Sequence, residues 1–249
     1  MKLAIMQPYL FPYIGYFQLI NAVDLFILYD DVNFRKQSWI NRNTILLNGN
    51  PHSFTAPCRG ISSNKLINEI QLDITKDFSQ NFFRLIKHGY EKKAPFYEES
   101  LALLKKIFNH SEEQTISNFN QRSIINICKY LDIQTEIKIA SEATAQTNEL
   151  KGANRIHSIC EQFNGSTYIN AQGGKDLYNK VDFSKKQKDV AKKTLDDIGN
   201  SGEYDPANNQ EQNKKIVEQL QAMVKVQVDN YFNNRQSLKA DKSVSEEVQ

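Results

Sequence analysis

The opening thirty residues restrict the fold more than any other stretch. Leu3–Met6 is short, apolar and stopped by Pro8, which cannot donate to a strand ladder. Past the Pro8–Pro12 turn, Ile14, Phe17, Leu19 and Ile20 recur near helical spacing and predict a helix ending near Asn21. Leu25–Tyr29 is apolar throughout, the pattern of a strand covered on both faces in a parallel sheet. Strand, loop, helix and strand in so short a span form a βαβ unit. The expected fold class is therefore α/β: a parallel-sheet, Rossmann-like core with a helical middle segment and a polar helical C-terminal tail.

Further along, Thr44–Leu47 and Ser53–Ala56 flank Asn48-Gly49-Asn50-Pro51, a hairpin signal because Asn-Gly readily adopts positive φ. A third extended piece is placed at Glu69–Asp73. Helical patterns follow at Asp77–His88, Pro95–Phe108 and Glu112–Leu131, and Glu136–Ala140 returns to strand character. A polar loop leads to a helix bearing Ile156, Ile159, Cys160 and Phe163, then to a strand at Thr167–Ile169 and a turn at Asn170–Gly174. The α/β domain is read as residues 1–183.

Composition changes there. Residues 184–215 are rich in Lys, Asp, Asn and Gln, too polar to bury enough surface to offset the entropy of ordering them. Ile216, Leu220, Met223, Val224, Val228 and Tyr231 then predict an amphipathic helix over 216–232. It could dock on the body, build a homo-oligomer or stand apart; the end from Lys239 reads as disordered.

Several function classes drop out. A formal charge of +2 over 249 residues gives no general attraction to nucleic acid. Cys58, Cys128 and Cys160 lack zinc-knuckle spacing and suggest buried thiols, and the four histidines show no metal-binding pattern, so no metal site is assigned. No apolar run is long enough for a membrane span. Pro8 and Pro12 break the N-terminal run too early for a signal peptide, so the cytoplasm is the expected location.

The chemically informative clusters fall just after predicted strands, where ligands bind in open parallel sheets. Gln7, Tyr9, Phe11, Tyr13, Gly15 and Tyr16 follow the first strand. Their rings and hydroxyls suit a base or sugar, or else form an aromatic packing turn. Asp30 and Asp31 close the second strand as candidate catalytic residues, able to take a proton or bind Mg²⁺, or simply to form an Asx turn. Arg35, Lys36 and Arg42 could meet a phosphate or lie solvated, and Trp39 among them suits either a sugar platform or a loop anchor. Lys151 and Arg155 enter the later helix, whose N-terminus favours anions. Gly173 and Gly174 follow the last strand, without the spacing of a Walker A loop.

The first unit distantly resembles that of adenylyl-transferring nucleotidyltransferases and pantothenate synthetase, although the histidines of their His-x-Gly-His turn are absent here. That likeness implies an alternative reaction, nucleotidyl or adenylyl transfer with ATP and Mg²⁺. A longer match carries more. IMQPYLFPYIGYFQLINAVDLFILYDDVNF at 5–34, WINRN at 39–43, APFYEE at 94–99, LKGANRI at 150–156 and YINAQGGKDLY at 168–178 resemble the WbqC-like family. The resemblance extends over residues 1–183; beyond them the polar tail lacks the extended aromatic segment and helix typical of the family. It implies an enzyme of surface-polysaccharide (O-antigen-type) biosynthesis, with transfer of an acyl or aminoacyl group to a nucleotide-linked amino sugar as the working reaction. A non-catalytic assembly protein of the same pathway is the remaining reading.

Overall fold

A computed structural model describes residues 1–109 and 114–170 together with a strand at 191–194. Five strands form its main sheet: β1 (Lys2–Met6), β2 (Leu25–Leu28), β8 (Glu136–Ile139), β9 (Thr167–Asn170) and β10 (Ala191–Thr194). Their spatial order is β10-β9-β1-β2-β8, and every neighbouring pair is parallel. In order of appearance this is 3-2-1-4-5, the doubly wound arrangement of Rossmann-like folds. The expected α/β core is present.

The apolar runs are continuous because both faces are covered. Ala4, Phe26 and Leu28 join one core with Tyr16, Phe17, Leu19 and Ile20 of helix α1 (Ile14–Asn21). Phe119, Ile124 and Ile127 of α4 (Ile116–Tyr130) belong to the same core. Leu3, Ile5, Leu25 and Ile27 point the other way, onto Ile156, Ile159 and Cys160 of α6 (Gly152–Gln162). Alternation in each strand thus feeds two apolar layers.

Between β2 and β8 lies the helical middle. The hairpin β3 (Arg42–Leu47) and β4 (Asn50–Thr55) turns at Asn48-Gly49, where φ is 52° and 81°, the positive values a two-residue primed turn requires. Helices α2 (Lys76–Tyr90) and α3 (Tyr97–Phe108) pack against it through Phe82, Ile86, Tyr97 and Leu104. The α2–hairpin seam is tight: a Cβ on Gly89 would stand 2.8 Å from the Leu46 carbonyl oxygen. Leu46 N–H also donates to the Tyr90 hydroxyl at 2.9 Å.

Several expected boundaries move. The extended piece at Glu69–Asp73 shortens to β6 (Gln71–Leu72), preceded by a 3-10 turn at Ile67–Glu69 and paired with β5 (Cys58–Arg59) and β7 (Gln114–Thr115). α4 starts at Ile116 because the Thr115 hydroxyl accepts Asn118 N–H, capping the helix there. Ala140 opens a short helix α5 (Ala140–Ala143) instead of ending β8. β10 falls in the stretch whose polar composition predicts no strand. An edge strand needs fewer apolar side chains than a central one, and AKKT borrows its ladder from β9. The helix expected at 216–232 and the glycines at 173 and 174 lie outside the described residues.

Candidate functional site

Parallel pairing brings the carboxyl ends of β1, β2, β8 and β9 to one edge. The strand order reverses between β1 and β9, so the switch-point crevice lies beside Gln7 and the end of β9, Asn170. The Gln7–Tyr16 and Asp30–Asp31 segments both reach this edge.

The first segment divides by depth. Tyr16 is buried, its hydroxyl donating to Gln7 O at 2.9 Å and its ring packing on Phe17 and Phe26. Burial pushes its phenol well above the ordinary 10.0. Phe11 also serves the core, against Phe82, Phe108 and Phe119. Tyr9 is half-buried against Tyr16, and Tyr13 stands at the surface. Burial chiefly raises the Tyr9 phenol, Tyr13 adds to the rise and Arg35 opposes it. Gly15 lies under the Tyr13 ring: a Cβ there would come within 2.3 Å of it.

Trp39 is 50 % exposed, an unusual state for a large apolar ring, while its carbonyl accepts Leu10 N–H at 2.8 Å. Arg35, Lys36 and Arg42 are exposed along the same loop and strand entry. Tyr13 and Trp39 are thus exposed and Tyr9 half-buried, and the Leu10–Trp39 main-chain bond joins the two segments that carry them.

Asp30 is 2 % exposed and receives four hydrogen bonds. Ser141 donates its N–H at 3.0 Å and its hydroxyl at 2.9 Å, Ser117 donates at 3.3 Å and Gln121 at 3.4 Å. Burial raises its carboxyl above the ordinary 3.8, and the Ser141 bonds oppose the rise. Asp31 Oδ2 pairs with Arg155 at 2.5 Å, whereas Asp31 Oδ1 is buried with no hydrogen-bond partner.

Arg155, expected at a phosphate, is 4 % exposed and committed internally. Besides Asp31 it donates to Thr147 at 3.1 Å and to Asn148 at 2.5 Å, and it lies 4.9 Å from the Tyr29 ring centroid. Lys151 is exposed at the N-cap of α6, which has no side-chain cap.

Sequence reasoning missed the polar side chains beneath the Tyr9–Tyr13 and Trp39 segments. Asn43 donates to Leu10 O at 2.7 Å and Phe11 O at 2.6 Å, and Asn120 donates to Pro8 O at 3.0 Å and Ile40 O at 2.8 Å. Asn41 donates to Ala56 O at 3.2 Å. A signal existed for two of them: at strand period two, Asn41 and Asn43 share the face opposite Arg42. Ser117 and Gln121 stand four apart on α4, one helical face. Among the described residues, no group of three or more His, Cys, Asp or Glu could hold a metal ion. No helix among them is long and apolar enough to cross a membrane.

A doubly wound α/β protein is the class that this geometry defines. The chain belongs to the WbqC-like protein family, whose pattern matches residues 7–206 and so runs through β10. It is similar to the uncharacterized protein Rv1507c of Mycobacterium tuberculosis, 30 % identical over 184 residues that cover 73 % of this chain and 77 % of that protein. No solved structure matches the chain.

Proposed function

We infer that this chain is an enzyme of surface-polysaccharide biosynthesis that transfers an acyl or aminoacyl group to a nucleotide-linked amino sugar. The observation that supports the binding half of this reading is the exposure of Tyr13, Trp39, Arg35 and Lys36 in two segments that follow β1 and β2 of a doubly wound sheet and are joined by the Leu10–Trp39 main-chain bond. Aromatic faces receive a base or sugar ring, and guanidinium and ammonium groups receive the diphosphate. Arg42 joins the phosphate contacts from the entry of β3. The family resemblance supports the surface-glycan pathway, and acyl or aminoacyl transfer is the working reaction within it.

Asp30 and Asp31 divide their roles in this reading. Both oxygens of Asp30 and Oδ2 of Asp31 are occupied, so any base or cation-binding role falls to Asp31 Oδ1. The strand order favours a second reading, nucleotidyl transfer with ATP and Mg²⁺, because that topology binds nucleotides at the switch point.

Calorimetric titration separates the two. A UDP-linked amino sugar is expected to bind, and ATP with Mg²⁺ to give no heat; the reverse would overturn the first reading in favour of the second. Arg42→Ala should weaken nucleotide-sugar binding by about 1.5–3 kcal/mol, the range for a hydrogen bond to a charged group. Unchanged affinity in the folded variant would remove Arg42 from the site.

A further inference from the structure

The Gln7–Pro12 turn has no helix or strand ladder of its own, and its two prolines contribute no N–H. Phe11 sits at φ 45°, in the left-handed region that a side chain disfavours. Two buried carboxamides hold this turn from separate elements. Asn43 on β3 spends its Nδ2 on the carbonyls of Leu10 and Phe11, and its Oδ1 accepts Thr44 N–H at 2.6 Å. Asn120 on α4 spends its Nδ2 on Pro8 and Ile40, while its Oδ1 is buried with no partner. A buried acceptor left unpaired is costly, so what Asn120 contributes is its two donors. The carbonyl of Trp39, next to Ile40, takes Leu10 N–H and ties the two strips together.

We propose that Asn43 and Asn120 are positioning residues that fix the Tyr9–Tyr13 turn and the Trp39 main chain in one ligand-receiving arrangement. This rests on the nucleotide-sugar reading of those segments. Both side chains are buried, at 5 % and 0 % exposure, so they act through the main chain and never touch the ligand. Preorganisation of this kind lowers the entropy lost on binding.

Trp39 is the only tryptophan, which makes it a built-in reporter. Asn43→Asp and Asn120→Asp keep the shape and remove the donors above the pH at which the new carboxyl ionises, a point that burial moves upward and a pH series locates. Time-resolved anisotropy should show a larger fast component for Trp39 in each variant without ligand. The dissociation constant for a UDP-linked N-acetyl amino sugar should rise by about tenfold or more, the loss of roughly one net hydrogen bond. Lowering the pH returns a proton, and one donor, to the new carboxyl, so order and affinity should both recover relative to wild type at the same pH. A purely space-filling role predicts no such recovery.

If the Asp variants do not fold, Asn43→Ser and Asn120→Ser, each keeping one donor, should give intermediate values. Wild-type order and affinity in folded variants would overturn the proposal, as would a loosened Trp39 with unchanged affinity. If the wild type binds no nucleotide sugar, the ligand assignment fails, and the anisotropy still decides whether the two amides order the turn.

Discussion

Asp30 is a carboxylate held in place by serines and a glutamine instead of by a cation, and that choice of partners has a pH signature. Its pKa is raised by burial, so the folded protein holds the proton at pH values where the unfolded chain has released it. Its contribution is fully present below the unfolded value and is lost as pH rises from the ordinary 3.8 through the raised folded value. Asp30→Asn, which cannot ionise, should remove this decline. The check is urea unfolding of both proteins at stepped pH: parallel curves through the acid range would contradict it. The cysteines give a second prediction. Burial pushes Cys128 and Cys160 up to about 12 and Cys58 up to about 11, so native thiols should react with a disulfide reagent at pH 8 far more slowly than after denaturation. Their wide spacing excluded a zinc or disulfide pattern and left buried or incidental thiols as the reading; Cys128 and Cys160 are buried and Cys58 partly so. The asparagines were harder to read, because a carboxamide in a loop looks solvated until the strand alternation around Arg42 is known.

At the scale of elements, two joints decide how the edge is assembled. The Asp31–Arg155 pair ties the end of β2 to the first turn of α6, with Thr147 and Asn148 filling the other donors. Arg155→Ala strands a buried carboxylate and should cost about 3–5 kcal/mol; the double change Asp31→Asn with Arg155→Met should cost less than that single change. Chemical denaturation of the three proteins measures it. The second joint is Gly89, where α2 meets the backbone of β3. Gly89→Ala should destabilise by about 1–3 kcal/mol, since the 2.8 Å neighbour is a carbonyl oxygen with little room to retreat. The primed turn at Asn48-Gly49 was readable because only a few residue pairs tolerate its dihedrals. Gly89 was not, because close approach between distant segments leaves no local pattern. The shift of α4 to Ile116 has a local cause: the Thr115 hydroxyl caps the helix at Asn118 N–H while its backbone pairs with β6.

For the whole molecule, the parallel sheet and both its apolar layers were written in the runs Leu3–Met6 and Leu25–Leu28, which are apolar because two helical layers cover them. The fifth strand was not, since its sequence, Ala-Lys-Lys-Thr, carries no apolar run. The polar boundary near residue 183 and the sheet boundary therefore differ. A chain ending at residue 183 would uncover the ladder groups of β9, and should melt lower and aggregate more than one ending at 206. Equal melting of the two would place β10 outside the cooperative unit.

β1 precedes the other four strands of the sheet in sequence and is the middle one in space, with Lys2 opposite Thr167 on one side and Leu3 opposite Leu25 on the other. The Lys2–Thr167 partnership spans nearly the whole described body, so its loop-closure entropy is among the largest in the fold. A nascent chain can complete β1, α1 and β2 early, yet one flank of β1 stays open until β9 has left the ribosome. Synthesis thus leaves one edge of an apolar strand waiting until β9 emerges, and the switch-point crevice cannot form before then.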